Sequence, residues 1–108
     1  MSFKVRIKKH NDLDVIELDG DVSGRDVGKI HEKLESIWNP AATRLGVDLS
    51  NVVFIDSHGL GMLIYIWKTL EGRGCELVFI APGPFVKEML ASTNLQNLIR
   101  IVDSADRV

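Results

Sequence analysis

Between Val52 and Leu70, in VVFIDSHGLGMLIYIWKTL, the chain passes from one hydrophobic pattern to another with almost nothing between them. Val52-Val53-Phe54-Ile55 is an apolar run that reads as a buried strand or strand end. Asp56 and Ser57 follow, and both residue types favour a helix N-cap. Leu60, Leu63, Ile64, Trp67 and Leu70 then recur at spacings of three and four, as on one face of a helix. A hydroxyl therefore sits where a strand ends and a helix begins. The first backbone N–H groups of a helix are unpaired, and its dipole favours negative charge there. A phosphate on Ser57 would meet a ready-made anion site.

The flanking sequence supplies more of the same two periods. Phe3, Val5 and Ile7 alternate with Lys4, Arg6 and Lys8, the mark of a half-buried strand. After the turn signal His10-Asn11-Asp12, residues Val15, Ile16 and Leu18 carry a second strand that stops at Gly20. The pair reads as a hairpin near a sheet edge, which Lys4, Arg6, Lys8 and Lys9 would blunt. Ser23 is a candidate N-cap with Asp26 as a partial capping box, and Val27, Ile30, Leu34 and Ile37 form the apolar stripe of a first helix. That helix ends before Asn39-Pro40. Leu45, Val47 and Leu49 open a third strand that runs toward Ile55 with an irregularity near Ser50-Asn51. Glu71 to Gly74 is a C-cap and turn, and Cys75 to Ile80 a strand covered on both faces. Pro82-Gly83-Pro84 breaks the pattern before a helix on Phe85, Val86, Met89 and Leu90 and a last strand on Leu98 to Val102. The order is β-β-α-β-α-β-α-β. Single helices between strands imply parallel pairing and right-handed crossovers, so the expectation is one α/β domain over residues 1–108, with a mixed, mostly parallel sheet of about four to five strands and helices packed on it.

Composition closes off several classes. A chain of 108 residues with net charge -2 gives no reason to expect nucleic acid as a partner. Cys75 is the only cysteine, so no internal disulfide and no paired-thiolate zinc site can form. His10, His31 and His58 show no ligand spacing, and neither a metal nor a cofactor is expected. No apolar run approaches the ~20 residues of a membrane helix, and the basic start has no apolar stretch of a secretory signal after it. The expectation is a soluble cytoplasmic protein with no membrane partner.

Asp48-Leu49-Ser50-Asn51-Val52, followed by Phe54-Ile55-Asp56-Ser57-His58-Gly59-Leu60-Gly61, resembles the signature of the STAS domain, in particular that of the anti-sigma factor antagonists. Leu18-Asp19-Gly20-Asp21, Gly72 to Leu77, Val86 to Leu90 and Asn94-Leu95 extend the resemblance over nearly the whole chain. It implies a non-enzymatic bacterial protein that binds an anti-sigma factor with serine-kinase activity. The kinase phosphorylates the serine after the aspartate, here Ser57; this breaks the complex, and a serine phosphatase restores it. ATP then belongs to the partner. Two positions depart from the family pattern. His58 stands where a second hydroxyl residue is usual, and Ser23 stands near where an acidic residue is often found. A final helix common in the family is short or missing.

Each candidate residue has a plainer reading beside the functional one. Ser57 and Asp56 can serve as helix caps; alternatively, Ser57 is the phosphosite, and Asp56 orients its hydroxyl or helps the kinase accept it. Gly59 and Gly61 each cost a helix about 1 kcal/mol against Ala. They serve either close packing on the sheet or the approach of a partner's backbone. Met62, Tyr65 and Ile66 fall outside the core arc of the central helix. Neighbouring loops cover them, or they form with Asp21, Ser23, Asp56, Ser57, His58, Gly59 and Gly61 the face that a partner docks on. A serine hydrolase is disfavoured, because there is no G-x-S-x-G elbow and His58 is poorly placed to act as base for its neighbour. A STAS module that is never phosphorylated, serving as a subunit or sensor in a transporter or signalling complex, is the remaining alternative.

Overall fold

A computed structural model of the chain describes residues 3–95 and 97–108. Strands β1 (Phe3–His10) and β2 (Leu13–Val22) form a hairpin, and then come α1 (Val27–Ile37), β3 (Arg44–Ile55), α2 (Ser57–Gly72), β4 (Glu76–Ile80), α3 (Pro84–Ala91) and β5 (Arg100–Val102). A 3₁₀ turn, Ala105–Arg107, stands where a final helix was expected to be short or missing. The sheet order is β1-β2-β3-β4-β5, antiparallel only between β1 and β2.

That order follows from the chain's alternation of strand and helix. Each parallel crossover steps one strand in the same direction, so right-handed connections place all three helices on one face of the sheet. The main core lies under them. Ile16, Leu18, Val47, Leu49, Leu77 and Phe79 of the strands meet Ile30 and Leu34 of α1, Leu60, Leu63 and Leu70 of α2, and Val86 and Leu90 of α3. On the other face Val15, Val78 and Ile80 form a smaller cluster, closed by Leu13, Val102, Ala105 and Val108. Cys75 is buried in the main core, a small apolar residue as its sequence position suggested.

Four boundaries differ from the sequence reading. β2 does not stop at Gly20: that residue takes φ 105°, which glycine tolerates, and the strand runs on to Val22. α1 does not start after Ser23. The Ser23 carbonyl accepts from the N–H groups of Asp26 and Val27, so residues 24–26 form a turn, and Asp26 holds the N-cap position with no side-chain capping bond. The last strand is only three residues long, with Leu98 exposed before it. The second half of β3 is not the buried run expected. Its register against β2 slips twice, at Glu17/Asp19 and at Gly20/Asp21, and β4 ends opposite Asp48. Bulges break the alternation of faces. Val53 is left 76% exposed, and Phe54 stacks on Phe85 at the surface, ring centroids 5.9 Å apart.

α2 is the middle helix of the layer, and this corrects the reading of Met62. With α1 on one flank and α3 on the other, its buried arc is wider than contact with a sheet alone would make it. Met62 is 5% exposed and belongs to the main core, whereas Tyr65 is 57% exposed. Met62→Ala and Leu63→Ala are each expected to cost about 2–5 kcal/mol, and Tyr65→Asp no more than ~0.5 kcal/mol. Urea unfolding midpoints at unchanged slope would show it. A Met62→Ala variant as stable as the parent would put that side chain outside the core.

Candidate functional site

The end of the sheet where β2 and β3 finish side by side, Val22 opposite Ile55, organises the candidate site. The Asp56 N–H donates to the Val22 carbonyl across 3.3 Å, which draws the start of α2 against the end of β2. Gly59 lies on the same carbonyl. A Cβ there would stand 2.0 Å from the Val22 oxygen, so only glycine fits. Of the two accounts of Gly59, close packing is the one the structure shows. Gly61 is different: it is exposed, and a Cβ there would touch nothing within 4 Å.

Asp56 is the N-cap of α2. Its Oδ1 accepts from the Gly59 N–H at 2.8 Å and its Oδ2 from the Gly24 N–H at 2.9 Å. One carboxylate thus caps the helix and ties the β2–α1 turn to it. Both oxygens are committed to backbone amides, which leaves the capping reading of Asp56 with the clear geometric support. These amides, Gly24 first and Gly59 second, hold the Asp56 carboxyl below its ordinary 3.8. A group with a lowered folded-state pKa stabilises the fold above its unfolded value, and the contribution disappears as pH falls through the folded value. The stability gap between the parent and Asp56→Asn should therefore be full at roughly pH 6 and shrink as the pH falls below about 4. Denaturant titrations across that range test this; a gap independent of pH would mean the carboxylate charge is not what the two amides hold.

With Asp56 as cap, Ser57 becomes the first residue of α2 and is not itself the cap. It is exposed, and its hydroxyl has no hydrogen-bond partner among the described residues. His58 is also exposed, and its ring lies over Gly24, where an added Cβ would come within 3.2 Å of it. Asp21 is half-buried opposite Phe54 at the second register slip, and Ser23 is half-buried in the turn that Asp56 holds. Asp21, Ser23, Asp56, Ser57, His58 and Gly59 therefore share one end of the molecule. From there an outward stripe runs along α2 through His58, Gly61, Tyr65 and Lys68. Tyr65 lies about 12 Å along the helix from Ser57 and packs against His31 of α1, ring centroids 5.6 Å apart. Met62, beside this stripe on the helix, is buried in the main core and is no part of the surface.

Two contributors escaped the sequence reading. Val22 supplies only a carbonyl and Gly24 only an amide, and neither carries a side-chain signal. Phe54 and Phe85 lie far apart in sequence, in runs that read as core. Among the described residues no group of three or more His, Cys, Asp or Glu could hold a metal ion, and no helix is long and apolar enough to cross a membrane.

Comparison with known proteins adds the following. Residues 4–107 match the model of the STAS domain family. The anti-sigma-B factor antagonist of Listeria monocytogenes is 29% identical over 103 residues, covering 94% of this chain and 90% of that protein. A high affinity sulfate transporter of Stylosanthes hamata is 38% identical over 60 residues, which is 56% of this chain but only 9% of the transporter. The crystal structure of an anti-sigma factor antagonist from Mycobacterium paratuberculosis superposes with a TM-score of 0.85 at 20% identity, over 98% of this chain and 90% of that one, and so shares the fold.

Proposed function

We propose that this chain, which belongs to the STAS domain family, acts as an anti-sigma factor antagonist whose binding is switched by phosphorylation of Ser57. The observation that carries the reading is the division of labour at the start of α2. Asp56 does the capping, so the Ser57 hydroxyl is exposed and uncommitted at a helix N-terminus. The partner is an anti-sigma factor with serine-kinase activity, and a serine phosphatase resets the switch. The full-length similarity to the Listeria antagonist supports the role. The docking face runs from Asp21 and Ser23 through Asp56, Ser57 and His58 and along Gly61 and Tyr65, with Gly59 buried beneath it. Gly61 offers a flat approach there, and its exposed position lacks any packing reason to be glycine.

A phosphate on Ser57 would sit at the positive end of the α2 dipole, so the fold accepts it. A partner packed on the same surface would meet both bulk and a charge of about -1.5 to -2. Incubation with ATP and an anti-sigma serine kinase, followed by mass spectrometry, tests the site: one phosphate on Ser57 is expected, and modification elsewhere with Ser57 intact would contradict it. The second reading, a STAS module that is never phosphorylated, is favoured by the match to a short segment of the sulfate transporter. It predicts no phosphate on any serine under the same conditions.

A further inference from the structure

We infer that Arg25 of the β2–α1 turn is the counter-ion of the phosphorylated site: once Ser57 carries a phosphate, the Arg25 guanidinium closes onto it and ties the turn to α2 a second time. The inference rests on the reading of Ser57 as the phosphosite and adds what the chain itself does after modification. The helix N-terminus alone does not balance the new charge, because Asp56 already occupies it. That carboxylate takes the Gly59 N–H through Oδ1 and the Gly24 N–H through Oδ2, and the His58 N–H draws on it as well. A phosphate on the next residue brings about -1.5 to -2 charge beside it. Half-buried Asp21 and buried Asp26 stand at the same corner, which is therefore short of positive charge.

Arg25 is the cation that the fold leaves there. It is exposed and makes no ion pair or hydrogen bond among the described residues. Arg6, Lys8, Lys9, Arg44 and Arg100, by contrast, are each paired with a carboxylate. Its neighbour Gly24 touches the residues on both sides of Ser57. The Gly24 N–H bonds Asp56, and the His58 ring lies so close over Gly24 that a Cβ would stand 3.2 Å from it. Arg25 follows at one Cα step, about 3.8 Å, which is well within the length of an arginine side chain. A guanidinium also suits the task. Its planar fork of donors matches two phosphate oxygens at once, and a phosphoserine opposite an arginine forms charge-assisted hydrogen bonds that order a loop. The modified corner then offers a partner neither a bare hydroxyl nor a free cation.

The test uses the full chain with phosphoserine genetically encoded in place of Ser57, so that no kinase is involved. Phosphorus NMR follows the second ionisation of the phosphate, ordinarily near pH ~6. With Arg25 present the midpoint should lie about half a pH unit or more below that of the Arg25→Gln variant, because the guanidinium favours the dianion. Arg25→Lys should restore only part of the difference, since it returns the charge without the fork. A histidine titrates in the same range, so the comparison is repeated with His58→Ser, where the difference due to Arg25 should persist. Two outcomes would overturn the inference: equal midpoints with and without Arg25, or a Lys29→Gln variant that raises the midpoint as much as Arg25→Gln does, which would mean a general surface field and not a contact. The readout is separate from the switch itself: a kinase that never modifies Ser57 would sink that reading while these midpoints stand.

Discussion

Gly59→Ala is expected to be among the most destabilising single-methyl additions this protein can receive, at about 3 kcal/mol or more. The new Cβ would stand 2.0 Å from the Val22 carbonyl oxygen and 2.8 Å from its carbon. Both are backbone atoms in a paired strand, so no rotamer change can relieve the clash. α2 would have to lift off the end of β2, stretching the Asp56–Val22 bond and the bond from the Gly24 N–H to the Asp56 carboxylate. For a chain of this size the melting temperature should fall by roughly 10 °C or more. Gly61→Ala is the matched control. Its Cβ meets nothing, so the fold should gain about 1 kcal/mol from helix propensity. Partner affinity should nonetheless fall if a partner's backbone approaches there. Melting temperatures within ~2 °C of the parent for Gly59→Ala would mean that α2 is not seated on β2 as described.

The second large effect is on binding. Ser57→Glu should leave the melting temperature nearly unchanged, because an acid at the first position of a helix suits the dipole. The same substitution places a charge in the centre of the proposed docking face. Like-charge juxtaposition or an unpaired buried charge at an interface costs several kcal/mol, so affinity for the kinase should fall by about 100-fold or more. Ser57→Ala should bind as tightly as the unphosphorylated parent and should no longer respond to ATP. A Ser57→Glu variant that binds with parental affinity would remove Ser57 from the interface.

The junction at the heart of both predictions was legible because two periods meet there with no loop between them. Which of Asp56 and Ser57 does the capping was not legible, since both side chains suit the role. The choice rests on the Gly24 amide, which arrives from the β2–α1 turn 32 residues earlier and takes the second Asp56 oxygen. Gly59 and Gly61 look alike in the sequence, and only the Val22 carbonyl tells them apart. Met62 was misread because local periodicity shows one buried face, whereas a middle helix has neighbours on both flanks. Val53 and Phe54 were misread because a bulge cannot be seen in a run of apolar residues. In each case the missing information lies in elements distant in sequence, while the order of the elements along the chain is written locally.

The most direct measurement compares one protein in two states. The chain is phosphorylated with the proposed anti-sigma serine kinase and ATP, verified by mass spectrometry as modified at Ser57 alone, and titrated calorimetrically against that kinase beside the unmodified chain. The switch requires tight binding of the unmodified form, affinity weaker by about 100-fold for the phosphorylated form, and recovery after phosphatase treatment. Equal affinities for the two forms would contradict it.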